Sequence, residues 1–105
     1  MERFAFEVIM DIELYSRLKI KFIDGVQPPL RMHSTPMDIS YINANWELFQ
    51  KAVWLVITEK NAKVSLLQRK LRLPYNQASL LIDYMVFFGL IGPFDLNRDI
   101  YVEFI

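Results

Sequence analysis

A chain of 105 residues with 53% hydrophobic content has enough apolar material for one domain with a real core and too much for a disordered segment. Twelve Lys and Arg balance twelve Asp and Glu, which excludes a phosphate footprint spread over the whole surface and confines any nucleic-acid contact to a local patch. The absence of cysteine excludes a disulfide framework and a thiolate metal site, and it fits a reducing cytoplasm.

Charges interrupt the apolar runs, so no segment is expected to span a bilayer. The opening residues 1–13, MERFAFEVIMDIE, carry acids inside the apolar stretch and lack a small-residue cleavage site, unlike a secretory signal. Residues 4–14 alternate: Phe6, Val8, Met10, Ile12 and Leu14 fall on one side and Glu7, Ile9, Asp11 and Glu13 on the other. Leu18, Ile20 and Phe22 alternate in the same way with Arg17, Lys19 and Lys21. Period two predicts half-buried strands. Folding the two runs about Tyr15 sets Glu13 against Arg17 and Asp11 against Lys19, pairs that contribute roughly a few tenths of a kcal/mol each. An N-terminal β-hairpin is therefore predicted. Phe4, Val8, Ile12 and Tyr15 also have helical spacing, which makes a helix the competing reading.

Asp24-Gly25 ends the second run, and a loop with three prolines and no sustained periodicity is predicted to about Asn43. His33 lies in it as the lone histidine, without a second ligand, so no metal site is expected. Residues 1–44 form one unit of the chain on this reading, and 45–105 the other.

A helix is predicted from Asn45, a candidate N-cap, with Leu48, Phe49, Ala52, Val53, Leu55, Val56 and Ile57 giving a wide apolar face and Asn61 closing it. Two shorter helices joined by a tight turn, then a Gly-Pro exit, are predicted within residues 64–95. Ser65 is the candidate cap of the first, and Pro74 disfavours helical geometry at Leu73, forcing a break before a restart at Tyr75. Leu90 and Ile91 precede Gly92-Pro93, and Ile100, Val102 and Phe104 alternate with Tyr101 and Glu103, which predicts a β-hairpin. Three helices and a hairpin form an α+β winged helix-turn-helix, whose second helix of the pair commonly enters the DNA major groove.

Residues 45–102 resemble the gamma domain of FtsK-type DNA translocases. The stretches that carry the resemblance are NWELFQKAVWLVITE, VSLLQRKLRLPYNQASLLIDYM, GLIGP and NRDIYV; QRKLR, a two-residue turn and YN form its most specific piece. The resemblance implies a winged helix that recognises short directional sequences in double-stranded DNA and contacts a site-specific recombinase. It implies DNA contacts for Arg69, Lys70 and Arg72 on the first helix of the pair, for Asn76 at the start of the second, and for Arg98 in the wing; Gln77, beside Asn76, is a further candidate because an amide can address adenine. The chain departs from the family at 77 and 80, where Gln77 and Leu80 replace arginines, and at Pro74, which replaces a glycine. Bidentate Arg to guanine is the commonest specific base contact, so altered base readout is expected.

Ala78, Leu81, Ile82, Met85 and Gly89 give the last helix an ordinary core stripe. Leu80, Tyr84, Phe87 and Phe88 add a second, a size of apolar surface that signals a partner, a homodimer, or cover by the N-terminal hairpin. A protein-interaction or dimerisation module is thus the alternative to DNA binding. No catalytic constellation is present: one histidine has no triad partner, the acids are scattered, and no Gly-rich phosphate loop occurs. An enzyme, a cofactor and a small-molecule substrate are not expected.

Overall fold

The computed structural model of the chain describes residues 14–25, 39–92 and 99–105. Residues 14–18 are helical (α1), and then come β1 Ile20–Phe22, α2 Ile39–Ala44, α3 Trp46–Glu59, α4 Val64–Leu71, α5 Tyr75–Phe87 and β2 Val102–Phe104. Helix and strand are thus mixed in one chain, an α+β composition.

The central helix α3 buries Phe49, Ala52, Val53 and Val56, spaced three, four and three apart as one face of a helix requires. Phe49 is wholly buried, and its ring meets Phe88 at 6.0 Å and Trp46 at 6.2 Å between centroids. Against this face pack Leu67 of α4 and Ala78, Leu81, Ile82 and Met85 of α5. Leu14, Leu18, Ile20 and Ile42 belong to the same buried cluster. The described part of the chain before residue 45 therefore shares its core with the part after it.

The N-terminal hairpin expected about Tyr15 is corrected by this arrangement. Residues 14–18 are helical, and β1 pairs with β2 at the other end of the chain, antiparallel, with Ile20 opposite Phe104, Lys21 opposite Glu103 and Phe22 opposite Val102. The expected strand over residues 4–13 lies outside the described residues. The alternation in residues 18–22 did mark a strand, but its acidic partner is Glu103, whose Oε2 lies 3.9 Å from Lys21 Nζ. Residues 14–18 are held by distant bonds instead of a local ladder. The Tyr15 hydroxyl donates to the Phe88 carbonyl at 2.9 Å, and the Trp54 indole N–H donates to the Leu18 carbonyl at 3.0 Å. The Arg17 guanidinium sits 3.9 Å from the centre of the Trp46 ring, a cation–π contact.

The residues just before β2 reach a second neighbour. Ile91 bridges Ile100, the Gly92 amide donates to the Asp99 carbonyl at 2.8 Å, and the Tyr101 amide donates to the Leu90 carbonyl at 2.9 Å. Leu90–Ile91 and Ile100 do pair, then, over a short ladder.

The helix ends were less legible. Asn45 precedes α3 but makes no side-chain cap; its Nδ2 donates backward to the Tyr41 carbonyl at 2.9 Å, closing α2. That helix begins at Ile39, inside the stretch expected to be loop. Ser65 lies within α4, whose entry is set by the Asn61 Oδ1 accepting from the Lys63 amide at 2.9 Å. Three chain reversals follow one pattern, a left-handed residue after the last helical turn. Lys60 (φ 52°) ends α3, with its amide on the Ile57 carbonyl and the Asn61 amide on the Val56 carbonyl. Arg72 (φ 55°) ends α4, with the Leu73 amide on the Gln68 carbonyl. Gly89 (φ 76°) follows α5, with the Leu90 amide on the Met85 carbonyl.

Two expected outcomes follow from these ends and ties. A non-glycine residue in left-handed geometry costs about 1–2 kcal/mol, so Lys60→Gly raises stability and Gly89→Ala lowers it by about 1 kcal/mol, read as opposite shifts of the urea midpoint. A Cβ at Gly89 would meet nothing within 4 Å, so the loss there is conformational and not steric. Burial pushes the Tyr15 phenol up from 10.0 to about 12. Between those values the unfolded chain releases this proton and the folded chain keeps it, so stability is intact below pH 10 and falls as pH rises toward 12. Tyr15→Phe removes that part of the alkaline loss while lowering stability at neutral pH by about 1 kcal/mol through the lost bond to Phe88; denaturant titrations at several pH values check both.

Candidate nucleic-acid interface

Helices α4 and α5 are joined by residues 72–74, too few for anything but a sharp change of direction. Pro74 is extended, with φ −67° and ψ 157°, and its carbonyl accepts the first intrahelical bond of α5 from the Ala78 amide at 3.1 Å. Ahead of it, left-handed Arg72 turns the chain out of α4. The two residues together aim the N-terminus of α5 away from the core. No side chain caps that terminus. The amides of Tyr75, Asn76 and Gln77, which have no acceptor within the helix, are left to solvent or to an anion.

Cations gather beside it. Arg69, Lys70 and Arg72 are all exposed, the first two in the last turn of α4, where positive charge also offsets the helix dipole. Lys70 Nζ lies 3.8 Å from Glu59 Oε1, with both side chains nearly half exposed. An ion pair so open to water contributes little and yields readily to a phosphate. Lys60 and Lys63, exposed in the connection from α3 to α4, add to the charge on this stretch. Asn76 is exposed and Gln77 half-buried on the first turn of α5. The fold thus brings five of the six expected DNA-contacting residues, Arg69, Lys70, Arg72, Asn76 and Gln77, to one turn. Arg98 lies outside the described residues.

Sequence reasoning passed over Tyr75 as a site residue. It is the first residue of α5 and 60% exposed, beside the basic cluster, a position from which a phenol can donate to a phosphate. Its signal was available: an aromatic at the first position of a predicted helix, directly after the basic run and the Pro74 turn.

The second apolar stripe of α5 divides in two. Tyr84 is 3% exposed and Phe88 4%, and neither stands on the surface. The Tyr84 ring stacks on Tyr41 of α2 with centroids 5.5 Å apart and planes 7° apart, and Phe88 meets Phe49 of α3. The cover comes from α2 and from residues 14–18, whose Tyr15 bonds the Phe88 carbonyl. Leu80 and Phe87 are half-buried and lie toward the outer side of α5. No described helix is long and apolar enough to cross a membrane.

Comparison with known proteins points the same way as the turn. The DNA translocase FtsK of Listeria monocytogenes is 49% identical over 52 residues, covering 50% of this chain and 7% of the relative. The DNA translocase SpoIIIE of Bacillus subtilis is 43% identical over 52 residues, again 50% of this chain and 7% of the relative. The DNA translocase FtsK 1 of Neisseria meningitidis is 43% identical over 51 residues, 49% of this chain and 6% of the relative. The chain therefore corresponds to a small part of these translocases. No solved structure gives a significant match. A family profile described as the Ftsk gamma domain matches residues 43–103, which include α3, the α4–α5 turn and the first two residues of β2. With well over half of its length under that profile, the chain belongs to the Ftsk gamma domain family.

Proposed function

We propose that this chain is a non-catalytic, cytoplasmic winged-helix module that binds double-stranded DNA, with the start of α5 at the major groove and with altered base readout. One observation carries the proposal: Arg69, Lys70 and Arg72 are exposed on the turn that delivers the uncapped N-terminus of α5. That is the combination of cation and helix terminus that phosphates favour. The relatives it matches are named DNA translocases, in keeping with a DNA-facing role. The pairing of Leu90–Gly92 with Asp99–Tyr101 is the base of the wing on this reading. This module contributes contact, not chemistry.

A second reading has one observation in its favour. Leu80 and Phe87 lie half-buried on the outer side of α5, where a second copy or a protein partner could cover them. Tyr84 and Phe88 would not contribute, since both are already covered. The zero net charge of the chain suits this reading as well.

Binding to a random-sequence duplex, followed by fluorescence anisotropy against salt, separates the two. About four phosphate contacts give a log–log slope near −3 to −4. Replacing Arg69 and Arg72 together by alanine is expected to weaken binding alike for all sequences and to reduce the slope by about two. Undetectable binding at low salt would contradict the DNA reading. Arg72→Gly provides a sharper version: relief of the left-handed backbone raises stability by about 1 kcal/mol while DNA affinity falls. Light scattering tests the second reading, which predicts a dimer that Phe87→Glu disrupts.

A further inference from the structure

Asn76, Leu80, Asp83 and Phe87 are spaced four, three and four residues apart, so they fall on one line along α5. The buried residues Ala78, Leu81, Ile82 and Met85 occupy the opposite side. Asn76 and Asp83 are exposed on the line, and Leu80 is half-buried. Gln77 lies about a quarter turn away from it, toward the core side. Any base edge that α5 reaches is therefore met first by Asn76 and, one turn on, by Leu80.

The helix contains neither Lys nor Arg: its sequence is YNQASLLIDYMVF. Guanine presents two acceptors, N7 and O6, to the major groove, and strong recognition of them needs a cationic donor. Leu80 has no polar atom, and the Asp83 carboxylate accepts only. Asn76 carries both a donor and an acceptor, the pair that adenine N7 and N6 call for, and an apolar side chain suits the thymine C5-methyl.

We propose that α5 selects A·T pairs, with Asn76 reading adenine and Leu80 packing against a thymine methyl on a neighbouring pair. Affinity and preference are then divided between two surfaces. Arg69, Lys70 and Arg72 hold the phosphates without regard to sequence, and the outward line of α5 supplies the discrimination. The inference rests on the DNA-binding reading given above.

Selection of the whole chain against a random duplex pool, with sequencing of the retained fraction, tests it. The expected result is enrichment of A·T at two nearby positions, on the order of tenfold to a hundredfold over G·C. Asn76→Ala loses the preference at one position and keeps it at the other. L80R moves the second position to G·C, because a guanidinium can reach O6 and N7. Since Leu80 is half-buried, Asn76→Arg provides the exposed counterpart, which is expected to fold and to move the first position to G·C. Retention of the pool with no base preference, or with a G·C preference in the unaltered chain, overturns the proposal and leaves DNA binding intact. Failure to retain any duplex at low salt overturns both.

Discussion

Most of this structure depends on one constraint: α5 is apolar around more than half of its circumference and has to be covered on two sides. Core helices α3 and α4 cover one side, closing over Ala78, Leu81, Ile82 and Met85. The other side, carrying Tyr84 and Phe88, has no cover from them alone. Residues 14–18 and α2 supply it, through the stack of Tyr41 on Tyr84 and the Tyr15 hydroxyl on the Phe88 carbonyl. Two aromatic rings of that size, left in water, would cost about 1.5–3 kcal/mol each relative to burial, a large fraction of a small domain's stability. The part of the chain that precedes the family match is thus tied into the same core.

Covering α5 on two sides leaves a narrow outer face, the face on which the proposed function rests. At its N-terminal end the Arg72–Pro74 turn presents free amides and a cluster of cations; further along, the line turns apolar and then acidic at Asp83. A uniformly basic helix would lay its whole length against phosphate. On the proposed function this one engages DNA by its first two turns, with charge supplied by the preceding helix and turn. The division explains how a chain of zero net charge can belong to a family whose named relatives work on DNA.

Strong periodicity and punctuation were legible in the sequence. The apolar face of α3, the break at Pro74 and the two short helices around it appear where spacing put them, because helix period and proline geometry are local properties. The basic turn was legible for the same reason. The hairpin about Tyr15 was not. Arg17 and Lys19 had acids within local reach, but the strand's pairing partner lies some eighty residues away, where Glu103 meets Lys21. Residues 14–18 are helical where the turn of that hairpin was expected, and residues 4–13, over which strand and helix competed, lie outside the described residues. Helix α2 escaped notice because its six residues are too few to show a period. The fate of Tyr84 and Phe88 turned on that short helix, which buries those two rings of the second stripe while Leu80 and Phe87 stay half-buried. Caps failed more simply: Asn45 bonds backward to Tyr41, and Asn61 sets the start of α4 in place of Ser65.

The central claim is that the chain meets DNA with the α4–α5 turn and the first turn of α5, while the aromatic end of the same helix stays in the core. Amide chemical-shift mapping by NMR, with and without a short duplex, tests it most directly. The account predicts perturbations centred on Arg69, Lys70, Arg72, Tyr75, Asn76 and Gln77, with Tyr84, Phe88 and Tyr41 unmoved. Perturbations centred on α2 and residues 84–88 with the turn unchanged, or no perturbation at low salt, would contradict it.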